Sequence, residues 1–273
     1  MAMIEVTDLH HYYGNKEVLK GLSLQIEKGT VIGLLGPSGA GKTTLVNLLT
    51  DQLPPSSGTI RREQNNLISG IMMDSFGLYG RLSVWDNLAI FADIYGVSHD
   101  KIDVLLKRAG LEQARKTTVG NLSKGMRNRV NFCRALLKDM DILYLDEPTS
   151  GLDPATTEQI HMLIQEEKAK GATIFLTTHN MHEAEKLCDR IFLLNGGQII
   201  EEGAPEEICR KYNTEQTITL TLQDGKIRTL HNSEKDAEAI YHMLLDGKVV
   251  SIHSSEPDLE TVFLTLTGRK LNE

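Results

Sequence analysis

The hydrophobic pattern along the chain switches repeatedly between short apolar runs and longer amphipathic stretches. Alternating positions around Ile4–Leu9 and Leu22–Ile26 predict two opening strands, with Tyr12-Tyr13-Gly14 in the loop between them. Apolar runs at Val31–Leu35, Leu67–Met73, Asp141–Leu145 and Ala172–Thr177 predict further strands. A turn at Pro54–Gly58 precedes one brief strand, and Ile191–Leu194 with Gln198–Glu202 flank Gly196-Gly197 as a hairpin. Helical patterns follow the third strand over Thr44–Leu49 and occupy Val84 to Gly120, broken near Gly96 and Gly110. Lys124–Leu137 reads as a helix with a basic face, and Thr156–Ala169 and Ala184–Leu187 read as further helices. Strands alternating with helices predict an α/β core whose sheet is largely parallel with an antiparallel β edge.

The pattern changes near Tyr212. Gln216–Leu222 alternates Thr with aliphatic residues, Asp224-Gly225 is a tight-turn pair, and Lys226–Leu230 returns as a strand. Helix, extended segment and helix follow at Glu234–Leu245, Val249–His253 and Pro257–Leu266, with Gly268 as a stop. The chain therefore divides into a main domain over residues 1–212, with a helical subdomain at about 84–138, and a small C-terminal α+β domain over 213–273.

Composition narrows the classes. A net charge of −8 argues against a nucleic-acid binder held by bulk electrostatics. The three cysteines, Cys133, Cys188 and Cys209, lack metal-ligand spacing and read as reduced structural thiols. No apolar run approaches the ~20 residues of a membrane helix, and the first residues carry no secretion signal. Any membrane role is expected to be that of a subunit docked on a separate partner.

The chemistry begins at Gly36-Pro37-Ser38-Gly39-Ala40-Gly41-Lys42-Thr43-Thr44, which fits the phosphate-loop pattern G-x-x-x-x-G-K-[ST]. Glycines let the backbone wrap phosphate oxygens, and the following helix N-terminus adds positive potential. Lys42 is expected to reach the β- and γ-phosphates of a nucleoside triphosphate, and the Thr43 hydroxyl to ligate Mg²⁺. The Asp141–Leu145 strand ends in Asp146-Glu147. The first carboxylate suits the nucleotide's Mg²⁺, and the second suits a general base for the attacking water. These features make the fold expectation a P-loop NTPase core.

Between the two motifs lies Leu122-Ser123-Lys124-Gly125-Met126, ahead of the basic helix. Here the sequence resembles the ATP-binding cassette family, specifically transporter ATPase subunits, whose signature is usually Leu-Ser-Gly-Gly-Gln. The Ser-Lys-Gly-Met form resembles an exporter branch with separate membrane subunits. The resemblance implies that Ser123, Lys124 and Gly125 meet the nucleotide of a second copy across a dimer interface. Read from the residues alone, Ser123 is equally an ordinary helix cap. Thr149-Ser150-Gly151-Leu152-Asp153 resembles the family's interface-crossing loop, which puts Asp153 among the nucleotide-binding candidates. His179, after Thr177-Thr178, resembles the switch histidine, and Tyr13 the aromatic that stacks on adenine, with Tyr12 as competitor. The choice of ATP rests on this resemblance, which covers roughly residues 1–210 and extends loosely to Asp258–Leu266 and Gly268-Arg269.

One position departs from the family. Asp74 stands where glutamine usually ends the Ile71-Met72-Met73 strand, and a hard cation's preference for carboxylate oxygen makes Asp74 a candidate Mg²⁺ ligand. The expected function is ATP hydrolysis coupled to transport through integral membrane permease subunits, at the cytoplasmic face of the cell membrane, with a homodimer of ATPase subunits. The alternative is a single-cassette ATPase in an assembly or repair complex. A P-loop kinase would leave the signature segment and His179 without purpose.

Overall fold

The structure, a computed structural model, describes residues 2–73, 77–214, 216–231 and 233–268. Asp74 and Arg269 therefore lie outside the described residues. The chain divides into two compact units, the first ending at Ala204 and the second beginning at Pro205.

The first unit opens with β1 (Ala2–Tyr13), β2 (Lys16–Glu27), β3 (Val31–Leu35), α1 (Lys42–Leu49), β4 (Ser57–Arg62) and β5 (Ser69–Met72). Three helices follow, α2 (Val84–Tyr95), α3 (Asp100–Arg108) and α4 (Lys124–Ala135). It closes with β6 (Ile142–Asp146), α5 (Pro154–Ala169), β7 (Thr173–Thr178), α6 (Met181–Leu187), β8 (Arg190–Asn195) and β9 (Gln198–Gly203).

Every residue of β3, β6 and β7 is buried, as continuous apolar runs require of central parallel strands. The six-stranded sheet has the order β5-β6-β7-β3-β8-β9, parallel except for β9, which pairs antiparallel with β8. The expected parallel sheet with an antiparallel edge is what forms. A second, antiparallel sheet of order β2-β1-β4 shares one apolar cluster with it. Ile4, Leu9, Leu24 and Ile26 meet Ile32, Leu34, Tyr144, Phe192 and the α1 residues Leu45, Val46 and Leu48. Each such side chain contributes about 2 kcal/mol on burial, so this layer fixes α1, and the loop before it, against the sheet. On β3, a Cβ at Gly33 would lie 2.8 Å from Cys188 Sγ, so the glycine permits the close approach of the segment ending α6.

The helical subdomain is bounded by local signals. Ser83 caps α2 by accepting from the Asp86 N–H at 3.1 Å, and Gly96 ends it in the left-handed region. The fully buried Asn87 ties the approach to α2 by bonding the Tyr79 N–H and carbonyl and the Ser83 carbonyl. Arg134, at the end of α4, lies over the Phe91 ring of α2 at 5.1 Å.

Two boundaries differ from expectation. Tyr12 and Tyr13 are not in a loop: β1 continues through them, because β2 supplies partners as far as Tyr13↔Lys16, and the turn is Gly14-Asn15. The second unit also begins before the composition change, with α7 (Pro205–Lys211), a helix the sequence pattern left unassigned. This helix packs against the last helix of its own unit, which draws the boundary back from residue 213 to Pro205.

That unit continues with β10 (Thr217–Leu222), β11 (Ile227–His231), α8 (Glu234–Leu245), β12 (Val249–Ser254) and α9 (Leu259–Thr267). β10 is central and antiparallel to both neighbours. Ser233 and Asp258 cap the two long helices, and Gly268 stops α9 at φ 66°. Among the described residues no helix is long and apolar enough to cross a membrane.

Candidate functional site

The sheet order sets three strand ends side by side. β7 lies between β6 and β3, with Asp146 opposite Thr177 and Leu35 opposite Thr178. The loop after β3, the acidic end of β6 and the histidine after β7 therefore open on one edge, where α/β folds place ligands.

The loop after β3 needs its glycines. Gly39 and Gly41 have φ of 78° and 111°, values that exclude most side chains. A Cβ at Gly36 would lie 2.2 Å from the Leu194 carbonyl oxygen. Gly41 occupies the N-cap of α1 and offers no side chain, so the first N–H groups of α1 are left for a ligand. Ser38, Gly39 and Thr43 are exposed at the loop surface, whereas Ala40, Lys42 and Thr44 are buried.

Lys42 turns into the loop. Its Nζ donates to the carbonyls of Gly36 at 2.6 Å and Pro37 at 3.3 Å, and it lies 3.7 Å from Glu147 Oε1. Burial pushes its ammonium below the ordinary lysine value, an effect opposed by the Glu147 and Asp146 carboxylates. Asp146 is held from both sides: the Thr43 hydroxyl donates to Oδ2 at 3.1 Å, and the Thr177 hydroxyl donates to Oδ1.

Glu147 adopts φ 51°, a left-handed conformation costing on the order of 1–3 kcal/mol for a residue with a side chain. Its N–H bonds the Thr177 carbonyl at 3.0 Å, which pins the turn to β7. The strained turn aims the carboxylate across the strand ends, where Oε2 accepts from His179 Nδ1–H at 2.7 Å. Lys42, Thr43, Asp146, Glu147 and His179 are thus brought together directly.

The two tyrosines separate. The Tyr12 hydroxyl donates to Glu17 at 2.8 Å, which occupies its polar end. The Tyr13 ring stands edge-on to His11, with centroids 4.9 Å apart, and is about half exposed. The Tyr12 ring is exposed to nearly the same degree.

The signature segment has local duties. Ser123 caps α4 through the Met126 N–H at 3.2 Å while remaining exposed, so the cap reading holds and the hydroxyl proton is still able to donate outward. A Cβ at Gly125 would lie 2.9 Å from Leu152 Cδ2, and Asn128 Nδ2 donates to the Ser150 carbonyl at 3.3 Å. The α4 N-terminal turns therefore lean on the 149–153 loop. Asp153 ends that loop as the cap of α5, accepting from the Thr156 N–H at 3.0 Å and hydroxyl at 2.6 Å. Both of its oxygens accept bonds within the first turn of α5, so Asp153 serves as a cap at the place where the resemblance also implies a nucleotide contact. The sequence reading also missed Thr177 as the anchor of Asp146. Its only signal was the Thr-Thr-His run, and its meaning depends on strand register.

A glycine loop feeding a helix beside an acidic strand end, all on the carboxyl edge of a parallel sheet, defines a P-loop nucleoside triphosphatase. A family model described as ABC transporter matches residues 19–150. The chain is 38% identical over 220 residues to the Nod factor export ATP-binding protein I of Cupriavidus pinatubonensis, covering 76% of this chain and 68% of that one. A solved ATP-binding subunit of an ABC transporter superposes with TM-score 0.70 at 29% identity, covering 77% of this chain and 93% of that one. A dimeric ATP-binding cassette in a post-hydrolysis state, bound to ADP and Pi, gives TM-score 0.67 at 25% identity, covering 74% and 98%. The chain belongs to the ATP-binding cassette transporter family and is the ATP-hydrolysing subunit of a transporter.

Proposed function

We propose that this subunit drives export through separate membrane subunits at the cytoplasmic face of the membrane, by closing two copies around two ATP molecules. Export is supported by the name of the relative that shares 38% identity. The observation that carries the hydrolytic reading is the convergence of Lys42, Glu147 and His179 through the 3.7 Å and 2.7 Å contacts of one carboxylate.

In this reading Glu147 accepts a proton from water as its oxygen bonds to the γ-phosphorus. The bond to the β,γ-bridging oxygen breaks, leaving ADP and phosphate. Lys42 turns from the loop carbonyls to the β- and γ-phosphates, and His179 holds the Glu147 carboxylate in place. Tyr13 stacks on the adenine. The Thr43 hydroxyl and Asp146 carboxylate, already converging at 3.1 Å, form a hard-oxygen pair suited to Mg²⁺. When bound, that ion neutralises phosphate charge; Asp74, outside the described residues, is proposed as a further oxygen donor on sequence grounds. Ser123, Lys124 and Gly125 act on the nucleotide of the second copy.

A comparison of two variants tests the shared site. Lys42→Ala is expected to weaken ATP binding by the monomer and abolish turnover. Ser123→Arg is expected to keep monomer ATP binding while preventing ATP-driven dimerisation, followed by gel filtration. Loss of monomer binding by Ser123→Arg to the extent seen in Lys42→Ala would refute the two-copy reading.

A further inference from the structure

A second polar cluster joins the 149–153 loop to α5 and α6. Glu183, on α6, is 1% exposed, and His161, on α5, is 6% exposed. The His161 Nε2–H donates to Glu183 Oε1 at 3.1 Å. The Thr149 hydroxyl donates to the same oxygen at 2.7 Å. Burying a carboxylate is costly, and here a loop hydroxyl and a buried imidazole both serve Oε1, while Glu183 Oε2 and His161 Nδ1 are buried without a hydrogen-bond partner.

The position of this carboxylate links both halves of the hydrolytic pair. Thr149 follows Glu147 by two residues, so its bond fixes the chain just beyond the strained Glu147 turn. On the other side, α6 begins immediately after His179. Asn180 caps it by accepting from the Glu183 N–H at 3.2 Å, and the Asn180 N–H in turn donates to Thr178 Oγ1 at 3.0 Å. The segments that carry Glu147 and His179 are thus both tied to the first turn of α6. The same loop also receives Asn128 and Gly125 from α4, so its position is read by the signature segment as well.

We propose that Glu183 is a positioning residue for ATP hydrolysis: supported from beneath by His161, it holds Thr149 and so keeps the Glu147 carboxylate aligned with His179. It acts through Thr149 and touches none of the reacting groups. The proposal rests on Glu147 being the general base. A displacement of about 1 Å in a catalytic group costs up to about a hundredfold in rate, so a slackened anchor registers in turnover and not in nucleotide affinity.

The test uses the full chain, with ATP turnover, ATP affinity and melting temperature measured together. Thr149→Val keeps the shape of the side chain and removes the donor; kcat is expected to fall by about ten- to a hundredfold with KM within about twofold of the parent. Thr149→Ser restores a donor and is expected to return kcat to within about threefold. Glu183→Gln combined with Thr149→Val is expected to be no slower than the slower single variant, because both act on one bond. Folded Thr149→Val with parental kcat, or independent additive losses in the double variant, overturns the proposal. If Glu183→Gln fails to fold, the Thr149→Val and Thr149→Ser pair still decides. Glu147→Gln is measured alongside: turnover in that variant sinks the general-base reading, whereas its inactivity beside a fully active Thr149→Val sinks the anchor alone.

Discussion

His179 Nδ1 lies 2.7 Å from Glu147 Oε2, and the two residues sit on loops leaving adjacent parallel strands. The imidazole N–H donates to the carboxylate and so orients it. The other oxygen of the same carboxylate is left facing Lys42. One carboxylate is therefore positioned by an imidazole N–H and set close to a buried cation.

Glu147→Gln is expected to bind ATP normally and lose turnover by about 10²–10⁴-fold, because an amide does not accept the proton of the attacking water. ATP-driven dimerisation is expected to persist in this variant, as gel filtration would show. His179→Ala, which removes the orienting donor and leaves the base, is expected to lose less. Phosphate release under single-turnover conditions gives both values.

Tyr13→Ala is expected to weaken ATP binding by about 5- to 100-fold, the range of stacking energies of a base on an aromatic ring. Tyr12→Ala should leave affinity nearly unchanged, since the proposal gives the base to Tyr13. Titration with a fluorescent ATP analogue discriminates the two, and a larger loss at Tyr12 would reverse the assignment.

Lys42 carries a pH signature in the nucleotide-free protein. Its folded-state pKa lies below the reference of 10.5, chiefly through burial, so the folded state binds fewer protons than the unfolded state in the window below 10.5. Stability rises with pH wherever the unfolded state binds more protons. Relative to Lys42→Met, the parent is expected to gain stability as pH rises from neutrality through its lowered folded-state pKa towards 10.5 in urea titrations. A difference that stays constant across that range would contradict the burial penalty.

Asp153 is expected to behave as a helix cap. Hydrogen bonds from the Thr156 side chain and then its backbone hold its carboxyl below the ordinary value of 3.8. The stability it contributes is present above that value and is lost as pH falls through its lower folded-state pKa. Asp153→Ala should therefore lower the melting temperature at neutral pH, with the deficit shrinking in acid. Asp153→Asn, which still caps, should retain the parental melting temperature and ATP affinity. Loss of ATP affinity in a fully stable Asp153→Asn would show that the carboxylate meets the nucleotide in addition to capping α5.

The sequence by itself determined the local parts of this protein. The Gly36–Thr44 loop, the buried run ending in Asp146-Glu147 and the helix stops at Gly96 and Gly268 are all set by near neighbours along the chain. Their backbone demands are therefore readable without a fold. Family resemblance extended that reading to His179 and Ser123. Tertiary structure decided the rest. Glu147 meets His179 because β6 and β7 are adjacent in the sheet, and Thr177 holds Asp146 because the register sets them opposite each other. Tyr12 and Tyr13 extend β1 because β2 returns beside them, and that return brings Glu17 to the Tyr12 hydroxyl. Helix α7 joined the second unit because α9 offers it a packing surface, which no local pattern announces. The Thr149–Glu183–His161 cluster was likewise invisible. Its members come from three separate segments, and a hydrogen bond between distant residues depends on how strands are ordered and helices packed, quantities fixed by the whole core and not by neighbouring residues.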